Sequence, residues 1–189
     1  MRSGTQPVLG GAAGAGGEPF DGATVGARHV DAERAIESGG FAWTVLRPAS
    51  FASNLLRHAP LIRAGEPLPN LAGDARRPVV DPRDVAAVAV AAPTGDAHDG
   101  HRYDLTGPEL LTFADQAAIL AGVLGRPVDA TDVPTLDQVP PAMATGIGWA
   151  RAGGAAYLTD HVPGILGRPA GTFKQWAPGH RTAFTNARG

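Results

Sequence analysis

Arg47, Pro48 and Ala49 follow directly on the apolar run of residues 41–46. A cation and a proline bend at the carboxyl end of a short β-rich run stand where α/β folds place their ligands. The plainer alternative is that Pro48 only ends a strand and Arg47 pairs with an acid or a carbonyl. Just beyond, Phe51 offers a ring face and Asn54 an amide to a bound molecule. Core packing and a loop carbonyl are their structural alternatives. Upstream stands His29; free imidazole titrates near neutrality, so this residue type can give or take a proton at a substrate carbonyl. Packing at the start of a helix would explain it equally. Glu33, one helical turn later, is expected on a solvated face or as a partner of Arg34 or Arg47.

Other constellations carry less. Asp81 and Asp84 read as paired carboxylates, but helix N-cap and third-position roles account for both. His58, His98, His101, His161 and His180 are too scattered to predict a metal site, and no metal is expected. The absence of cysteine excludes disulfides and thiolate catalysis. Gly11, Gly14 and Gly17 satisfy GxxGxxG. That spacing cradles a pyrophosphate only between a buried strand and a helix N-terminus. Here at most Pro7-Val8-Leu9 precedes it and a Glu18–Gly22 loop follows, so it reads as a glycine-rich loop.

The elements needed to position these residues can be read from periodicity and punctuation. A helix is predicted over residues 27–38, with Val30, Ala32, Ala35 and Ile36 apolar and Asp31, Glu33, Arg34 and Glu37 wet. Gly39-Gly40 stops it. A buried strand follows over 41–46. A helix over 51–64, capped from Ala49 or Ser50, is kinked or split at Pro60 and ended by Gly65. Short strands are predicted over 76–80, 101–105 and 128–133. Asp81 and Pro82 open a helix through Ala92, and Thr112 with Asp115 caps one over 113–124. Interrupted helical stretches cover 135–148, 149–166 and 173–184. The fold class is therefore α/β, with fewer strands than a complete doubly wound sheet. Residues 1–26 form a Gly/Ala-rich segment with a short strand, and 27–189 the main domain.

The 189 residues suffice for one domain with a core. A balance of 16 basic and 18 acidic residues argues against a nucleic-acid surface. The start of the chain shows no apolar leader, and the longest apolar run, residues 85–92, is too short to span a bilayer. A cytoplasmic protein without membrane partners is the expectation.

The stretch HVDAERAIESGGFAWTVLRPASFASN resembles the NmrA-like branch of the atypical short-chain dehydrogenases/reductases. VDPRDVA, YDLTGPE, LGRPV and GTFKQWA follow in that family's order. The resemblance covers residues 5–185 and implies the C-terminal two-thirds of an extended Rossmann sheet, with a small, mostly helical substrate-side subdomain. It also implies NAD or NADP as cofactor and hydride transfer to a small carbonyl or quinone. Arg47, Pro48 and Ala49 would then lie at the nicotinamide end, with Phe51 and Asn54 toward the substrate. His29 falls near the family's Tyr, Glu33 near its Lys, and Ala12 or Ala13 near its Ser. No Tyr-x-x-x-Lys exists: the tyrosines are Tyr103 and Tyr157 and the single lysine is Lys174. The family's glycine motif would lie ahead of this chain, so weak cofactor binding and impaired activity are expected. A non-catalytic redox-sensing module and a gene fragment are the alternatives. A sheet lacking strands would leave an edge open to self-association.

Overall fold

The computed structural model describes residues 8–10, 25–94, 96–137 and 139–186. Gly11, Gly14 and Gly17, with Ala12 and Ala13, lie outside the described residues. Among the described residues the strands form three small sheets. The first is fully parallel, with β1 (Val8–Gly10) and β6 (His101–Leu105) flanking β2 (Thr44–Pro48). In the second, β3 (Ser50–Phe51) pairs in parallel with β5 (Arg77–Val80), which pairs antiparallel with β7 (Leu110–Leu111). In the third, β4 (Leu68–Asn70) pairs in parallel with β8 (Ala130–Asp132). The fold is Rossmann-type α/β, as expected.

α1 (Val25–Glu37) precedes β2, but its faces are not those the pattern predicts: Glu33 is buried and Ala35 exposed. A buried cation on β2 draws the Glu33 face inward. β2 also begins later than predicted. The chain turns at Gly40 in a left-handed conformation and leaves Phe41 exposed. Trp43 is half-buried with Arg102 5.1 Å from its ring centre, and its N–H donates to Asp99. Only from Thr44 does the ladder form.

The single helix expected after Pro48 is split. A 3-10 turn, Ala52–His58, has Phe51 as its N-cap residue with no side-chain cap, and α2 (Ala59–Ala64) restarts with Pro60 in its first turn. Rigid φ and a missing N–H suit Pro60 to that place. α3 (Pro82–Ala91) is capped by Asp81, and α4 (Phe113–Leu124) by a Thr112/Asp115 capping box. α5 (Pro141–Arg151) starts at the proline pair rather than being interrupted by it. A loop then leads to α6 (His161–Leu166) and α7 (Phe173–Gly179).

The main core joins Leu55 and Ile62 to Leu120, Phe173, Trp176 and Phe184. Trp176 stacks between Phe173 and His180. A second cluster, Leu46, Val88, Leu105 and Val162, packs α3 and α6 beneath β2 and β6. Among the described residues no helix is long and apolar enough to cross a membrane.

Candidate active site

Val45 and Leu46 are buried because β2 lies between two parallel neighbours. This carries Arg47 into the interior. Its guanidinium meets the Glu33 carboxylate with Nε at 3.1 Å and Nη2 at 2.6 Å. Both side chains are nearly dry, at 7% and 5% exposure. The two-pronged fit of guanidinium on carboxylate raises the Arg47 pKa above its ordinary value, against the cost of burial, so it stays charged. Arg102, farther along β6, adds a looser contact to Glu33 and an ion pair to Glu37. The strand-end cation is thus bound to α1.

Asp104 sits across the ladder from Arg47. Its Oδ1 is buried without a hydrogen-bond partner. Burial pushes its carboxyl above the usual range, with the charges of Arg47 and His161 acting the other way. Its carbonyl accepts from Thr159 Oγ1 at 2.5 Å and faces His161 Nδ1 at 3.0 Å. Tyr157 also has a buried hydroxyl without a partner. Burial, then the charge of Asp104, pushes its phenol well above the ordinary value, so it stays neutral.

Beyond β2 the chain bends at Pro48, and the Ala49 N–H donates to the Leu105 carbonyl at 2.9 Å. This bend forms one wall of a pocket of about 280 Å³. Pro48, Ala49 and Ser50 line it together with Arg77 and Pro78 of β5, Trp149 of α5 (Pro141–Arg151) and Tyr157. The lining is mostly apolar, with one cation and no acid. Such a space suits a flat, uncharged ring.

The structure therefore gathers Pro48 and Ala49 at a pocket and sets Arg47 behind them. Phe51 is half-buried on β3 and does not line this pocket. Asn54 Oδ1 accepts from Arg57 at 2.6 Å and stands apart. His29 is half-buried on α1 and is not among the lining residues. Three of the scattered histidines gather around Tyr103: His98 Nδ1 lies 2.9 Å from its hydroxyl, His101 of β6 stacks on its ring and His161 of α6 meets its edge. Among the described residues, no three His, Asp or Glu side chains gather as metal ligands. Sequence reasoning missed Arg77, Trp149 and Tyr157. A charge opening the otherwise apolar run RPVV was the one available signal.

No family model matches the chain. It is 41% identical over 168 residues to the (4-alkanoyl-5-oxo-2,5-dihydrofuran-3-yl)methyl phosphate reductase of Streptomyces griseus, covering 83% of this chain and 60% of that protein. It is 35% identical over 185 residues to the NAD(P)H azoreductase of Xenophilus azovorans, covering 90% and 64%. The chain thus spans about 60% of the length of these relatives. The Escherichia coli NADPH-dependent quinone oxidoreductase, solved with NADPH, superposes with a TM-score of 0.74 at 21% identity, covering 90% of this chain and 63% of that one. The Citrobacter triphenylmethane reductase, solved with NADP(H), gives 0.73 at 19%, covering 94% and 65%. These relatives are named as reductases and the solved structures share this chain's Rossmann-type fold, which is consistent with the resemblance of its ordered motifs to the NmrA-like atypical short-chain dehydrogenases/reductases.

Proposed function

We propose that this chain forms the substrate-facing part of an NAD(P)H-dependent reductase site that passes hydride to a small carbonyl or quinone. The observation that carries this reading is the apolar pocket behind the Pro48-Ala49 bend, at the carboxyl end of a parallel strand. Two relatives named as a reductase and an NAD(P)H azoreductase support it. The lining fits a nicotinamide ring, since Pro48, Ala49 and Trp149 give it apolar walls and no acid. The chemistry a bound NAD(P)H supplies is hydride.

The residues do the rest. Pro48 and Ala49 orient one face of the reacting ring and keep water from it. Arg47, held by Glu33, fixes the bend from behind. Phe51, Asn54 and His29 lie outside the lining of this pocket; the family resemblance alone assigns the first two to the substrate side and His29 to the proton that the substrate oxygen takes up, where the ligand extends beyond the pocket. Self-association through the open sheet edge belongs to the same reading.

The test is NADPH oxidation by this chain against a panel of quinones at saturating NADPH. Turnover with at least one quinone is expected, falling by about 10²-fold or more in His29→Ala. A second reading, a non-catalytic redox-sensing module, is favoured by the buried Glu33–Arg47 pair and the missing Tyr-x-x-x-Lys. NADPH binding with no turnover on any quinone would select it.

A further inference from the structure

Arg77 opens β5, and the three residues after it are buried. Its own side chain is half-buried, and its Nε has neither exposure nor a hydrogen-bond partner. The contrast with the other arginines removed from solvent is direct. Arg47 has Glu33, and Arg126 has the carbonyls of Ile62 and Phe184. Arg77 has no acceptor among the described residues, and no carboxylate lines its pocket. Its Nε is cut off from water without an acceptor, which is costly, and burial lowers the guanidinium pKa below its ordinary value. The half-buried charge has no counter-charge beside it among the described residues, and an anion from outside the chain would supply one.

The surroundings narrow the kind of anion. Arg77 shares the pocket with Pro48, Ala49 and Trp149. A ligand reaching it must pair a planar or tetrahedral oxyanion with an apolar, ring-like body. A guanidinium accepts both phosphate and carboxylate through paired N–H donors.

We infer that Arg77 is a specificity residue that binds a phosphate or carboxylate substituent of the substrate, while the substrate's apolar body lies toward Ala155 and Tyr157, leaving Pro48, Ala49 and Trp149 to the nicotinamide ring. This rests on the reductase reading for the word substrate, and on Arg77 alone for the anion.

The test is calorimetric titration of the full chain with phenyl phosphate, benzoate and benzyl alcohol. At least one of the two anions is expected to bind, more weakly as salt is added. Which one binds better distinguishes phosphate from carboxylate. Its affinity should fall about ten- to a hundredfold in Arg77→Gln and only partly in Arg77→Lys. Benzyl alcohol should bind parent and Arg77→Gln alike. Equal anion binding by parent and Arg77→Gln, or no anion binding by the parent, overturns the inference. Thermal melts guard against misfolding: Arg77→Gln should melt no lower than the parent, because an unpaired half-buried charge is gone. A large drop would show that the guanidinium has an internal partner, and the inference fails. Displacement of the bound anion by adenosine 2′,5′-bisphosphate, a cofactor fragment without the nicotinamide ring, would assign the site to a cofactor phosphate instead, and also overturns it. Arg77-dependent binding with no quinone turnover separates the two readings: the anion pocket stands and the reductase reading fails.

Discussion

Glu33 and Arg47 form a two-pronged ion pair that is almost fully buried. Removing one partner of such a pair costs about 3–5 kcal/mol. Glu33→Ala should therefore lower the melting temperature sharply, with Glu33→Gln milder because the amide oxygen still accepts a hydrogen bond. A Glu33→Ala protein that melts like the parent would show the pair to be dispensable. Asp104 predicts a pH effect of defined sign. Its folded pKa is raised, chiefly by burial, so the native state holds a proton that the unfolded chain has lost. Stability then falls as pH rises from the ordinary carboxylate value, about 3.9, through the raised folded value. Asp104→Asn should flatten that decline in melts taken across acidic pH, and an unchanged slope would refute it. Part of this scale was legible in sequence. Arg47 as an ion-pair partner of Glu33 was one of the alternatives its position allowed, and Pro48 and Ala49 were placed at the strand end where the pocket lies. Arg77 and Tyr157 were not legible. Their meaning comes from lost solvent, and solvent is removed by segments distant in sequence.

Local signals fixed many of the elements. Gly65 and Gly125 end α2 and α4 in left-handed conformations, and Asp81 and Thr112 cap as their types predict. The start of β2 and the faces of α1 were not legible, because ladder pairing and a buried charge decided them against local apolar pattern. Asp84 shows the same limit. Its place in the first turn of α3 explained it locally, yet it also pairs with Arg168 at 2.7 Å and accepts the Gly171 N–H at 2.7 Å. One more element-level constraint is steric. A Cβ on Gly107 would sit 1.9 Å from the Val79 carbonyl oxygen. Since that neighbour is backbone, Gly107→Ala must push β5 from the loop after β6. A loss of about 1–3 kcal/mol is expected, read by denaturant unfolding, and Arg77-dependent anion binding should weaken with it. A variant as stable as the parent would show that this close approach can relax.

For the molecule as a whole, the order β1-β2-β6 leaves β1 at an edge among the described residues. Unpaired edge groups invite a second strand, so size-exclusion chromatography should show concentration-dependent association. A monomer at every concentration would count against it. The general α/β class was readable because helices and short strands alternate along the chain. The division into three small sheets was not, since pairings such as β4 with β8 join segments that carry no shared local signal. The core has a further consequence for how the protein is made. Leu55 and Ile62 find their partners in Phe173, Trp176 and Phe184, and Arg63 bonds the Ala183 carbonyl 120 positions away. During synthesis those early apolar side chains must wait for residues made much later. Until then they are exposed on the ribosome, so this chain should be slow to fold and a strong client for chaperones that shield nascent apolar surface.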